Sequence, residues 1–132
     1  MAVVLDTHAA IWYLAASVNL SSDALRAIQD SIQSADPIYL PSICVVEVIS
    51  LVEKKRIPAE ALDRLLSALA DADSALRIAP LDLDVATALA RVSRESLPDM
   101  PDRIIAATAL HLGVPVVTRD QRMRASSIKT IW

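Results

Sequence analysis

Glycine is almost missing from this chain: Gly113 is the only one in 132 residues. That excludes a G-x-G-x-x-G dinucleotide turn and a Walker-type phosphate loop, which need several glycines for the backbone to approach a phosphate. Cysteine is as scarce. Cys44 alone makes no internal disulfide, and there is no Cys cluster for zinc or iron–sulfur. Inside the apolar run Ser42–Val52 it reads as a small core residue. A nucleophilic role would need a nearby His, and neither His8 nor His111 stands in a local signature. Phenylalanine is absent, so the core must come from small and aliphatic side chains, which suit close helix packing. No apolar run reaches the roughly 18 residues of a membrane span. No basic segment precedes the first apolar run, so a secretory leader is not expected. These absences predict a cytoplasmic protein with no membrane attachment. There is no internal repeat, low-complexity tract or linker.

What is present points to one packed domain. The chain is 54% apolar, and its length suffices for a sizeable core. Net charge is −3 and the isoelectric point about 5.2. That balance argues against indiscriminate nucleic-acid binding. It leaves a nucleic-acid enzyme open, because divalent cations invert the field of an acidic pocket.

Short apolar runs alternate with longer helical patterns. Residues 2–5 read as a buried strand, and 7–14 as a helix. Ser21 or Ser22 caps a second helix, with Leu25, Ile28 and Ile32 on one face. Residues 37–40 form a strand, and Pro41-Ser42 opens a helix to about Lys55. Pro58 suits a first helical position ahead of Leu62, Leu65, Leu66 and Leu69. Residues 76–79 are a third strand. Asp82 or Asp84 starts a helix through Val85, Leu89 and Val92. Pro101 opens a helix that Gly113 closes. Residues 114–118 are a strand, 120–123 a helical turn, and 128–131 a last strand. Buried strands alternating with helices predict an α/β fold, a parallel sheet covered on both faces. Ligands of such sheets bind at the carboxyl ends of strands.

Four acids occupy odd places. Asp6 ends Val3-Val4-Leu5. Glu47 is the only charge between Ser42 and Glu53. Asp102 opens an apolar, Ala-rich helix, and Asp120 ends Val116-Val117-Thr118-Arg119. Each has an ordinary reading. Asp6 and Asp120 are suitable helix caps, Asp102 complements a helix dipole, and Asp99 sits in a polar loop. Glu47 has the strongest local case. Apolar neighbours surround it on every face of one helix, and a helix apolar all round is a buried one. A Glu there needs a partner or a shifted pKa, unless it lies at the rim or pairs with an Arg. Two carboxylates about 4 Å apart repel by roughly 4 kcal/mol at an effective dielectric of about 20. Gathered together, the four acids would need cations or would take up protons. An oxygen-only set favours Mg²⁺ or Mn²⁺ over zinc and suits phosphodiester hydrolysis.

Arg119, Arg122 and Arg124 follow the fourth strand, Lys129 lies beyond, and Arg103 adjoins Asp102. Arg103, Arg119 and Arg122 are candidate phosphate contacts, against the plainer reading of a solvated surface. Thr7 and Thr118 are placed to orient a carboxylate or a water. His8 reads as a packing or supporting residue, and Trp12 and Tyr13 as core or interface side chains rather than base-stacking platforms.

These segments resemble the PIN-domain family, in particular its VapC-type toxins of prokaryotic toxin–antitoxin pairs. Val4-Leu5-Asp6-Thr7-His8-Ala9-Ala10-Ile11-Trp12 looks like the opening strand and first acidic motif. Residues 42–51 around Glu47 resemble the second motif. Asp99-Met100-Pro101-Asp102-Arg103-Ile104-Ile105-Ala106-Ala107 resembles the third, and Val117-Thr118-Arg119-Asp120 the fourth. One departure stands out. The family often has Asp-Pro-Phe-Asp-Arg before the third helix, whereas here the Phe is missing and Pro101 adjoins Asp102. The resemblance implies a three-layer, Rossmann-like α/β/α sandwich over residues 1–132 with a short, mostly parallel sheet. It implies an Mg²⁺- or Mn²⁺-dependent endoribonuclease with Asp6, Glu47, Asp102 and Asp120 as catalytic, metal-binding acids. Thr118 or Asp99 would support them. It further implies an RNA substrate, a small cognate antitoxin and a homodimer. The competing expectation is a non-catalytic module that holds a partner peptide in an apolar groove. A phosphatase or receiver fits less well, for want of an Asp-x-Asp pair and of a strand-end Lys.

Overall fold

The computed structural model describes residues 1–132. Five strands form one sheet: β1 (Val3–Leu5), β2 (Ile38–Pro41), β3 (Leu76–Ala79), β4 (Val116–Val117) and β5 (Thr130–Ile131). Their spatial order is β3-β2-β1-β4-β5, and every neighbouring pair is parallel. Val3, Val4, Leu5, Val116 and Val117 are each 0% exposed. A strand buried on both faces has no polar alternation, as these sequences show. The edge strands differ. β3 exposes its two middle residues, and β5 is half-exposed.

Seven helices cover the sheet: α1 (Thr7–Leu14), α2 (Ser22–Gln33), α3 (Ser42–Glu53), α4 (Ala59–Ala70), α5 (Leu83–Ala88), α6 (Met100–Leu112) and α7 (Gln121–Ala125). The crossovers β1→β2→β3 run outward in one direction, and β3→β4→β5 run back in the other. Right-handed crossovers in opposite directions place their helices on opposite faces, which makes three layers. α2 packs on β1, β2 and β5, whereas α6 packs on β1, β2 and β4. The middle of α6, Ile105, Ala106, Ala107, Thr108 and Ala109, is buried on every face. Its alanines let the helix lie close on the central strands, a use for small residues in a chain without Phe.

Two boundaries and one burial depart from the sequence expectation. The fourth strand is shorter than 114–118 because Val114 belongs to the end of α6. Gly113 there has φ +69°, its N–H donates to the Leu110 carbonyl, and Val114 N–H donates to that of Ala109. These two bonds are a Schellman cap. The helix expected to reach Val92 ends at Ala88 and continues as a 3-10 turn over Leu89–Arg91, with Val92 extended. The carbonyls of Leu89 and Val92 both accept from Arg103 Nη2, at 3.1 and 3.0 Å, and that of Leu89 also accepts from Val92 N–H at 3.0 Å. Last, α3 is not enclosed. Only Cys44 and Val48 are fully buried in it, while Val46 and Ile49 are 59% and 40% exposed.

A Cβ at Gly113 would meet no atom within 4 Å, so Gly113→Ala suffers only the backbone penalty of a left-handed residue. Its expected cost is about 1 kcal/mol, read as a lower urea midpoint with an unchanged slope. A loss of several kcal/mol would contradict this account of the cap.

Candidate active site

β1 is the hub of the sheet. The chain leaves it toward β2 on one side, and β4 lies against its other side. That junction is the topological switch point, where crossover helices on opposite faces leave a crevice at the strand ends. Two acids stand there. Asp6 follows β1, and its N–H bonds to the Val117 carbonyl at 3.2 Å. Asp120 lies just beyond β4.

Thr118, fully buried, ties these two together. Its hydroxyl donates to Asp6 Oδ2 and accepts from Asp120 N–H at 3.0 Å. Each Asp also caps a helix. Asp6 Oδ1 accepts from Ala9 N–H at 2.8 Å, and Asp120 Oδ2 from Met123 N–H at 2.8 Å. The capping reading and the site reading of these residues are therefore compatible.

Glu47 reaches the same place from α3. Thr7, the buried first residue of α1, donates its hydroxyl to Glu47 Oε1 at 2.5 Å. No Arg or Lys pairs with Glu47; the two ion pairs of the chain are Met1–Asp36 and Asp23–Arg26. Asp102 lies in the first turn of α6, and its own N–H is capped by Asp99 Oδ2 at 3.1 Å.

The charges act on one another. Burial pushes the Asp102 carboxyl up to about 7, and the charges of Asp99, Asp120, Glu47 and Asp6 push the same way. Glu47 is raised mainly by burial, against the pull of Thr7 and His8, with Asp99 and Asp6 adding to the rise. Asp6 is raised by burial, held back by Thr118 and Ala9, and raised further by Asp120. The structure thus brings Asp6, Glu47, Asp102 and Asp120 into one field and adds Asp99, the largest charge acting on both Glu47 and Asp102.

The acids share a field without closing into a chelate. No three His, Cys, Asp or Glu side chains converge closely enough to hold a metal ion. The chemistry of the donors nonetheless suits a hard divalent cation. They are all carboxylate oxygens, they repel one another, and no Lys or Arg neutralises them. Beneath them lies Cys44, buried against the Leu5 carbonyl, its thiol driven above the usual range by burial. Such a thiol is inert.

The basic candidates separate. Arg103 is turned inward to Leu89 and Val92, with Nε buried and without a partner, so its guanidinium serves the fold rather than a phosphate. Arg119 is exposed and lies over the Trp12 ring at 4.4 Å. Arg122 is exposed on α7. Trp12 also meets His8 at a centroid distance of 5.4 Å and Trp132 at 5.8 Å. Reading the sequence missed Trp132. Its signal was positional: Val117 pairs with Ile131, which sets Trp132 beside Thr118 at the carboxyl edge.

An acid whose folded pKa is raised costs stability once the pH passes its unfolded value. For Asp102 that cost grows from about pH 4 to about pH 7 and then stays constant. Asp102→Asn should therefore stabilise the metal-free protein at pH 8 by about 1–2 kcal/mol, allowing for solvent screening of a half-exposed group. At pH 3 the two proteins should unfold alike. Urea titrations at both pH values measure this, and equal midpoints at pH 8 would refute the raised pKa.

The surrounding fold has relatives. A family model described as the PIN domain matches residues 3–128. Ribonuclease VapC22 of Mycobacterium tuberculosis is 35% identical over 125 residues, covering 93% of this chain and 90% of that protein. VapBC2 from Rickettsia felis, solved bound to a DNA fragment from its promoter, superposes with a TM-score of 0.72 at 15% identity. The match covers 98% of this chain and 97% of that one. FitAcB from Neisseria gonorrhoeae gives 0.59 at 24% identity, over 97% and 95%. A toxin–antitoxin complex from Klebsiella pneumoniae gives 0.61 at 20%, over 93% and 91%. At such identities the structures share a fold. The family model spans nearly the whole sequence and agrees with the relative at 35%, and on that ground this chain belongs to the PIN domain family.

Proposed function

We propose that this protein is a metal-dependent endoribonuclease and the toxin of a toxin–antitoxin pair. One observation carries the chemistry: carboxylates gathered at the sheet switch point with no Lys or Arg paired to them, among which Asp102 is pushed up to about 7 chiefly by burial and further by its acidic neighbours. A site built only to stabilise the fold gains nothing from such repulsion. The relative named a ribonuclease supports the substrate class. The neighbours solved as toxin–antitoxin assemblies support a protein antitoxin.

In this reading Asp6, Glu47, Asp102 and Asp120 hold Mg²⁺ or Mn²⁺, which when bound supplies Lewis acidity and lowers the pKa of water. The residues themselves do the positioning. Thr118 and Ala9 N–H fix both oxygens of Asp6. Thr7 fixes Oε1 of Glu47, and Oε2 has no hydrogen-bond partner within the chain. Asp99 keeps the field negative. Asp102 would hold such a cation as its carboxylate, so cation affinity is expected to rise with pH up to about 7. Arg119 and Arg122 face solvent as phosphate contacts. Val46 and Ile49 on α3 and Leu66 on α4 are exposed apolar side chains. They suit contact with an antitoxin or with a second copy of this chain. They also keep in play the reading of a peptide-binding module, which cleavage would decide against.

Purified protein freed of any partner should cut cellular RNA into discrete fragments with Mn²⁺ or Mg²⁺ and none with EDTA. Asp6→Asn and Asp102→Asn should each lower the rate by at least about a hundredfold with the fold retained. Cleavage by either variant at the unaltered rate, with limiting metal, would show the assignment wrong. Thr118→Val removes the bridge but no ligand. A loss of about 10- to 100-fold is expected of it, with weaker dependence on Thr118 if the hydroxyl only packs.

A further inference from the structure

Five carboxylates repel a phosphodiester as readily as they attract a cation. Something else must grip the strand, and the chain's net charge of −3 offers no general attraction. Stacking on aromatic rings does not depend on charge. Both tryptophans of the chain meet beside the acids. Trp12 is half-buried and not among the side chains packed on the core, whereas Trp132 packs against the core while remaining half-exposed. Its neighbours are His8, Trp132 and Arg119. The rings of His8 and Trp132 are tilted to that of Trp12 by 47° and 57°. Tilted rings do not cover one another's flat faces as parallel stacked rings do.

Arg119 adds a second observation. It lies one residue before Asp120, its guanidinium rests over Trp12 at 4.4 Å, and it forms no ion pair within the chain. A guanidinium resting over an indole is partly ordered and keeps N–H donors for an anion. His8 lies in the first turn of α1, the helix whose N-cap is Asp6, and Arg119 adjoins Asp120. The aromatic group therefore borders the acidic site directly. Backbone register fixes the arrangement. Thr118 N–H bonds to the Ile131 carbonyl at 3.1 Å, so the segment that carries Trp132 is tied to the one that carries Arg119.

We propose that Trp12, Trp132 and His8 form a stacking subsite for one unpaired nucleobase next to the scissile phosphate, and that Arg119 holds the adjoining phosphate. This rests on the nuclease reading of the acidic site and adds a requirement to it. The strand must be single at that position, because a paired base presents no free face.

Tryptophan emission reports on the subsite directly, since Trp12 and Trp132 are its only sources. The probe is a hexaadenylate RNA, titrated into Asp102→Asn protein with Mg²⁺. Saturable quenching is expected, together with at least about tenfold weaker binding of an abasic strand of equal length. Trp132→Leu should weaken hexaadenylate binding about tenfold, and Trp132→Phe, which keeps a flat ring, should restore most of it. Equal binding of the abasic strand, or full affinity in Trp132→Leu, would overturn the subsite. Cleavage is assayed separately in protein with Asp102 intact. If Trp132→Leu cuts with unchanged kcat/KM, the nuclease reading stands and the subsite falls. If the intact protein binds and quenches but never cuts, the subsite stands and the nuclease reading falls.

Discussion

Everything at the site depends on the pairing of β1 with β4. These two strands are far apart in the chain, and the bond from Thr118 to Asp6 spans 112 residues of sequence. Parallel pairing puts their carboxyl ends side by side. The crossovers to left and right leave the space above those ends open. Without that pairing Asp6 is a helix cap and Asp120 is another. With it, one buried hydroxyl joins them.

The second constraint is how so much negative charge is kept in place. Asp6, Asp99 and Asp120 each accept from a backbone N–H at the start of a helix, and Asp102 stands in a first turn. Helix starts carry partial positive charge, so they hold acids that repel one another across the crevice. Glu47 alone comes from the middle of a helix and relies on the Thr7 hydroxyl. Local backbone therefore restrains what long-range electrostatics would drive apart. Burial, with the neighbouring charges adding to it, raises the proton affinities of Asp6, Glu47 and Asp102.

Much of this was legible in the sequence, though not always for the reason offered. Val3-Val4-Leu5 and Val116-Val117 read as doubly buried strands because they lack polar alternation, and the acids after them were placed correctly at strand ends. Gly113 marked the end of α6, but its cap also claims Val114, a local hydrogen bond that apolar periodicity does not carry. Arg103 looked like a phosphate contact because it adjoins Asp102. It donates instead to the carbonyls of Leu89 and Val92, in and after the 3-10 turn that follows α5, a contact 14 and 11 residues away that adjacency to Asp102 does not signal. The apolar run around Glu47 suggested full enclosure. Val46 and Ile49 are exposed instead, since an apolar face signals burial without naming what covers it. Trp132 had no local pattern at all. Its position follows from strand register, which a sequence fixes only once the sheet order is known.

The long reach of the Thr118–Asp6 bond also sets a timetable. A ribosome builds the chain from Asp6 toward Thr118, and domains fold only as their pieces become available. For most of synthesis the first acid is a lone carboxylate on a nascent polypeptide, with neither its hydroxyl partner nor β4 beside it. A translation product truncated before Val116 keeps Asp6, Glu47 and Asp102 yet has no switch point to gather them. Whatever chemistry the finished fold performs, the incomplete one cannot perform it on the message that encodes it.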